Sequence, residues 1–169
     1  MLSVQQSFFV ASISAGLFMT HGTVAQDMPK EGPVDFVVSS IGEATILAAD
    51  NGTMQLNYVV NGLRSSGGDG MNGLASMQCV GAATVFGGQW DNESGLCKTT
   101  YPDGSTTMTS YSGSGTLGGL AEGSWSFVSG TAALEGITGG GTYTRISGPR
   151  PSETRSSSQS TVTGSYKLP

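Results

Sequence analysis

Residues 123–143, GSWSFVSGTAALEGITGGGTY, decide the fold of this chain. Two extended segments flank a glycine-containing turn region, and the first carries Trp125 and Phe127. Because these aromatic residues are two positions apart, they share one face of a strand, where they would anchor a core. The glycines permit the positive φ and the close backbone approach that tight turns and bulges need. We therefore predict strands at about 123–129 and 139–147.

The same pattern extends along the chain in both directions. Apolar residues alternate rather than recurring at helical spacing, and turn sequences such as Asn51-Gly52 and Pro102-Asp103-Gly104 separate the segments. Further strands are predicted at about 34–47, from 54, at 74–86, 89–101 and 105–115, and at the end of the chain after a loop at 148–158. No segment reads as a helix.

Eight strands with short connections predict an all-β protein that forms an eight-stranded antiparallel up-and-down barrel. Closure into a barrel removes the exposed sheet edges. The interior of such a barrel is either filled by side chains or holds one small ligand. The sequence leaves these two alternatives open.

The two cysteines test the register of the third hairpin. If the chain turns at Gly87-Gly88-Gln89, Cys79 lies directly opposite Cys97 and a disulfide is within reach. A turn within residues 91–95 would separate the two cysteines by several positions. We favour the first register and expect a structural disulfide.

The N-terminal segment has the features of a secretory signal peptide. Residues 8–19 are mostly apolar and uncharged, and Thr23-Val24-Ala25 resembles a signal-peptidase site, although the segment contains no Lys or Arg. We predict a signal peptide at 1–25, a flexible lead-in at 26–33 and one barrel domain at 34–169, in a secreted or periplasmic protein. An uncleaved anchor is the alternative.

Cleavage near Gln26 would remove the only histidine, His21. The mature chain would then lack the imidazole that Ser-His-Asp triads and histidine-based metal sites require. Asp69 and the run Asp91-Asn92-Glu93 could supply oxygen ligands to calcium, but neither follows a full loop pattern, so we interpret both as ordinary polar turns. We predict no cofactor and no metal.

Composition excludes further classes of partner. The 169 residues carry a formal net charge of −5, and only 11% of them are charged. Without a basic patch, binding to nucleic acid is not expected. No later segment is apolar enough to span a membrane as a helix.

The quoted stretch resembles the hairpin shared by allene oxide cyclases and dirigent proteins, and also small secreted bacterial proteins of that barrel superfamily. Cys97 and the Asp103-Gly104 turn are similar as well. Residues 129–132 and Leu134 depart from the pattern. The resemblance implies an eight-stranded barrel, and it carries no catalytic residue onto this sequence.

Candidate site residues are few, and we assign no catalytic residue. Glu43 alternates with Ile41 and Leu47, so it either points inward as a buried carboxylate or lies solvated on the outer face. Tyr58, Tyr143 and Tyr166 could orient a polar group of a ligand, although plain packing is the commoner role of a tyrosine in a small barrel.

Three functions remain open. The leading one is a non-catalytic barrel that binds a small apolar molecule or serves as an accessory domain. The second is a cofactor-free cyclase or isomerase, and the third is a self-associating surface protein that forms homo-oligomers. A closed apolar cavity favours the first, a buried carboxylate facing a tyrosine the second, and solid packing a structural role.

Overall fold

The computed structural model describes residues 28–49, 51–65, 68 and 70–169 of the chain. The predicted signal peptide and the start near Gln26 lie outside these residues. Each strand pairs antiparallel with the next, and the last pairs with the first, which closes the barrel. The strands are β1 (Glu31–Ala48), β2 (Thr53–Ser65), β3 (Ser76–Phe86), β4 (Gln89–Thr100), β5 (Thr106–Thr116), β6 (Leu120–Gly130), β7 (Thr138–Ser147) and β8 (Arg155–Lys167). The predicted all-β, eight-stranded antiparallel barrel is confirmed.

Buried and more exposed residues alternate along β1, and the buried ones face the inside of the barrel. Val34, Phe36 and Val38 are buried, while the residues between them lie on the outer surface or at an intermediate depth. β1 begins at Glu31, three residues before the predicted start, because Glu31 pairs with Lys167 and extends the ladder between β1 and β8.

The third hairpin turns at Gly87 and Gly88, whose φ angles are 56° and 83°. These left-handed conformations favour glycine, which explains the sequence at the turn. Phe86 pairs with Gln89 across it, and a register shift between Ala82 and Phe86 then brings Cys79 opposite Cys97. The two cysteines form a disulfide, so the predicted pairing is confirmed.

The two ends of the barrel differ. At the end where β1 begins and β8 ends, two short 3₁₀ turns (Gly70–Asn72 and Ala132–Leu134) bring Met71 and Leu134 into an apolar core. We call this core the floor; its buried residues are Val34, Phe36, Val38, Met71, Ala75, Tyr101, Leu134, Ile137, Tyr166 and Leu168. The opposite end, formed by the β1–β2, β3–β4, β5–β6 and β7–β8 connections, is called the mouth.

The outer surface of β2, β3 and β4 carries one apolar row. Val59 pairs with Val80, and Val80 pairs with Leu96, so three exposed apolar side chains lie side by side. The predicted self-association would need such a face, and it stays a prediction. No helix in the described part of the chain is long and apolar enough to cross a membrane.

Candidate functional site

The barrel encloses a cavity of about 460 Å³ that extends from the floor to the mouth. Most of its wall is apolar. Above the floor, the wall is formed by the Cys79–Cys97 disulfide together with Met77, Trp125, Phe127 and Val162. The interior is therefore not filled by side chains, and we call this cavity the lumen.

One polar cluster interrupts the apolar wall of the lumen. Glu93 is only 3% exposed, and its Oε1 accepts hydrogen bonds from Tyr58 Oη at 2.6 Å and from Arg145 Nη2 at 2.8 Å. Its Oε2 accepts a hydrogen bond from Tyr143 Oη at 2.9 Å. Tyr111 Oη donates to Tyr58 Oη at 3.0 Å and extends the chain of hydrogen bonds. We call these five residues the Glu93 cluster.

Glycines make room for the long hydrogen-bonding side chains. Glu93 pairs with Gly113, Gly113 with Gly123, and Gly123 with Tyr143, so all four form one cross-strand row. Inward-facing side chains at the two glycines would lie between the carboxylate and the phenol. Because the glycines have no side chains, Glu93 on β4 and Tyr143 on β7 reach each other across the backbone of β5 and β6.

A bulge in β4 lets Trp90 and Glu93 face the same side of the strand. Trp90 and Glu93 are three residues apart, and strict alternation would place them on opposite faces. The pairing of β4 with β5 shifts between these two residues, so both side chains line the lumen. Asn92, inside the bulge, is held in place because its Oδ1 accepts a hydrogen bond from Thr84 N at 2.9 Å. The bulge thus places Trp90 on the lumen side together with Glu93, the one buried carboxylate among the described residues.

The electrostatics of the cluster keep the tyrosines protonated and the arginine charged. Burial, followed by the charge of Glu93, raises the pKa values of Tyr58 and Tyr143 far above the ordinary value for a phenol. Burial also raises the pKa of Tyr111. Burial by itself would lower the pKa of Arg145, but the charge of Glu93 and its hydrogen bond outweigh burial and raise it.

A second arginine lines the lumen at the floor. Arg64 is 4% exposed, its Nη1 donates to Met71 O at 2.6 Å, and its Cζ lies 3.6 Å from the centroid of the Phe36 ring. The buried Nε has no hydrogen-bond partner. The described residues form two ion pairs, Arg145–Glu93 and Arg155–Glu43, and neither includes Arg64. Burial lowers the pKa of Arg64.

The structure separates the four residues that the sequence suggested for a ligand site. Tyr58 and Tyr143 both contact Glu93 in the lumen. Tyr166 lies in the floor, where its Oη donates to Pro29 O at 3.1 Å. Glu43 is 68% exposed and forms an ion pair with Arg155 at 3.0 Å, which matches the solvated alternative.

Sequence reasoning missed four polar residues that line the lumen, namely Arg64, Glu93, Tyr111 and Arg145. The interpretation of residues 91–93 as an ordinary polar turn is wrong for Glu93, which is buried in the lumen. A signal was present, because counting back from Cys97 in steps of two reaches Gly95 and Glu93. If the disulfide lies inside the barrel, alternation places Glu93 inside as well.

The Glu93 cluster offers acid–base chemistry rather than metal binding. Among the described residues, no group of three or more His, Cys, Asp or Glu side chains is arranged to hold a metal ion. A carboxylate that accepts hydrogen bonds from two phenols can take a proton from a bound molecule, and the phenols can stabilise an oxyanion. The apolar wall would exclude water from such a step.

No protein-family model matches this chain, and comparison with curated proteins finds no relative. The resemblance of residues 123–143 to the allene oxide cyclase and dirigent barrels therefore stays a prediction.

Proposed function

We propose that the barrel binds a small, largely apolar molecule in its lumen, with a hydroxyl or carbonyl group of that molecule received by the Glu93 cluster. The observation that carries this proposal is the combination of an apolar cavity of about 460 Å³ with a buried cluster of hydrogen-bonding groups in its wall. Small-molecule sites commonly have volumes of ~300–1,000 Å³ and this mixture of apolar wall and few polar groups.

The energetics favour a binding role over a purely structural one. Leaving apolar surface unfilled loses packing, and burying a carboxylate with an arginine costs desolvation energy. A barrel that served only as a stable accessory domain would gain stability from filling this space with larger side chains. A bound molecule would restore the missing van der Waals contacts with the apolar wall, and it would form hydrogen bonds with the Glu93 cluster.

The test is to block the lumen and measure binding of a neutral apolar probe, N-phenyl-1-naphthylamine. Val162 lines the lumen, and its neighbour Thr163 points outward. We expect Val162→Trp to abolish the fluorescence increase of the probe, whereas Thr163→Trp, which places the same side chain outside, retains it. Equal binding by both variants, or none by the unmodified protein, would contradict the proposal.

Native mass spectrometry of the protein purified from its own host identifies the molecule. A discrete additional mass that disappears on denaturation gives the mass of the ligand, and the protein mass reports whether residues 1–25 have been removed. A bare protein that also fails to bind the neutral probe would support a structural role instead.

One observation favours catalysis as a second candidate function. Tyr58 accepts a hydrogen bond from Tyr111 and donates one to Glu93, which forms a continuous path for a proton next to the cavity. A carboxylate and hydrogen-bonded phenols are sufficient for a cofactor-free isomerisation or cyclisation of an unsaturated or phenolic molecule. Glu93→Gln should abolish turnover of such a substrate while the neutral probe still binds; unchanged turnover would exclude Glu93 as the base.

A further inference from the structure

The lumen carries an excess of positive charge inside an acidic protein. Among the described residues, three charged side chains lie in its interior, namely Arg64, Arg145 and Glu93. Glu93 neutralises Arg145 at 2.8 Å, so the charge of Arg64 is the excess. The charged residues that line the mouth are balanced, with Arg150 and Arg155 against Glu43 and Glu153. The whole chain has a net charge of −5, so this local excess is opposite in sign to the protein.

Contacts with two aromatic rings and one backbone carbonyl fix the position of Arg64 at the floor. Its guanidinium lies 3.6 Å from the centroid of the Phe36 ring and 5.5 Å from that of Tyr101, and the carbonyl of Met71 accepts one of its N–H groups. Stacking and one carbonyl hold the plane of the group in place, but they supply no negative charge. A guanidinium has five N–H donors, and the buried Nε–H is unpartnered.

Arg64 has no counter-ion among the residues that the structure describes. A buried cation in that state is costly, and an aliphatic side chain would fill the same space without the cost. A planar guanidinium is the group that best matches a carboxylate, because two parallel N–H donors meet two oxygens. An anion delivered through the lumen would supply the missing charge and the missing acceptor together.

We infer that the molecule bound in the lumen is an apolar carboxylic acid whose carboxylate lies at the floor on Arg64. This inference depends on the proposed binding function and specifies its ligand class. Arg64 and Tyr58 are six residues apart on β2, which is about 20 Å along a strand. The apolar part of the molecule then lies against the disulfide, Trp125 and Phe127, between the floor and the Glu93 cluster.

Two probes that differ only in their head group, a carboxylate in one and a hydroxyl in the other, test the inference. Decanoic acid and 1-decanol have the same chain length, and each is titrated against N-phenyl-1-naphthylamine bound to the oxidised protein at neutral pH. We expect decanoate to displace the probe at least about tenfold more effectively than decanol, the factor that one charge-assisted hydrogen-bonded contact supplies. Equal displacement by the acid and the alcohol would overturn the inference.

Two variants assign the preference to Arg64. Arg64→Met should remove the preference by weakening decanoate, with decanol displacing the probe as before. Lys98→Met removes a cation of the outer surface and should leave the preference intact, since Lys98 is exposed on β4 and does not line the lumen. If Arg64→Met does not fold, Arg64→Lys keeps the charge without the planar fork and should retain a reduced preference. A preference unchanged in the first variant, or abolished by Lys98→Met, contradicts the assignment.

The neutral probe separates this inference from the function on which it depends. If neither the probe nor decanol binds, the proposed lumen function fails. If both bind and decanoate shows no advantage, the lumen function stands and only the role of Arg64 is excluded.

Discussion

Tyr58 and Tyr111 face each other across two glycines, with their phenol oxygens 3.0 Å apart. Tyr58 pairs with Gly81, Gly81 with Gly95, and Gly95 with Tyr111, so the two rings lie over a strip of backbone that has no side chains. A Cβ at Gly81 would collide with Tyr111 Oη and come within 2.7 Å of Tyr58 Oη. These glycines hold the space that the hydrogen-bonded tyrosines occupy.

Gly81→Ala should therefore destabilise the barrel through overpacking, by about 1–3 kcal/mol of unfolding free energy. Because Tyr111 Oη is the atom that collides, adding Tyr111→Phe should recover part of the loss, and urea denaturation of the single and double variants measures this coupling. Gly68→Ala is the control, since its Cβ would meet Asn72 Cβ at an ordinary 3.5 Å. A strictly additive double variant would contradict the steric explanation.

Glu93→Gln should lower the unfolding free energy by about 3 kcal/mol, because Arg145 would lose its buried counter-ion. Glutamine keeps the shape of the side chain, so the change is mainly one of charge. Adding Arg145→Met removes the orphaned cation and should recover part of the stability. Chemical denaturation checks both variants, and Glu93→Gln as stable as the unmodified protein would show that the ion pair contributes nothing.

Alkaline pH should destabilise the protein through its buried tyrosines. The pKa values of Tyr58 and Tyr143 are raised in the folded state, so above about pH 10 the unfolded chain loses protons that the folded chain keeps. The unfolding free energy then falls with rising pH by about 1.4 kcal/mol per pH unit for each such tyrosine. Below about pH 10 this contribution is constant.

Measuring the unfolding free energy between pH 8 and pH 12 tests the linkage, and Tyr143→Phe should reduce the slope by the contribution of one group. An absorbance titration should show that these two phenols ionise together with unfolding. If both phenols titrate near pH 10 in protein that is still folded, Tyr58 and Tyr143 are not buried beside Glu93, and the prediction is contradicted.

The disulfide should contribute substantially to stability. Cys79 and Cys97 are 18 residues apart, and closing a loop of this size removes entropy of the unfolded chain worth about 3 kcal/mol. Reduction, or replacement of both cysteines by alanine, should lower the urea midpoint accordingly while circular dichroism still reports a β-protein. A change below about 1 kcal/mol would show that the neighbouring ladder already imposes the constraint.

The sequence predicted local and pairwise features well. Met54, Leu56, Tyr58 and Val60 alternate along β2, and all four line the lumen. Gly87 and Gly88 set the turn that brings the cysteines together. Such features depend on residues that are close in sequence or joined by one hairpin. The local sequence pattern is therefore sufficient to predict them.

The Glu93 cluster could not be predicted in the same way. Its members come from β2, β4, β5 and β7, and they converge only because the barrel closes. A shift of one residue in β4 reverses the direction of Glu93, and the sequence around Asp91 and Asn92 is equally compatible with a polar turn.

The sequence by itself determined the strands, the turns, the alternation and the pairing of Cys79 with Cys97, because hydrophobic periodicity and glycine conformation act over a few residues. Only the tertiary structure decided that the barrel keeps an open lumen, that Glu93 rather than Glu43 is the buried carboxylate, and that Arg64 lies at the floor without an anion among the described ion pairs. The physical reason is that burial and charge pairing depend on which side chains come into contact across the closed sheet. The bulge in β4 and the inward-facing glycines determine those contacts.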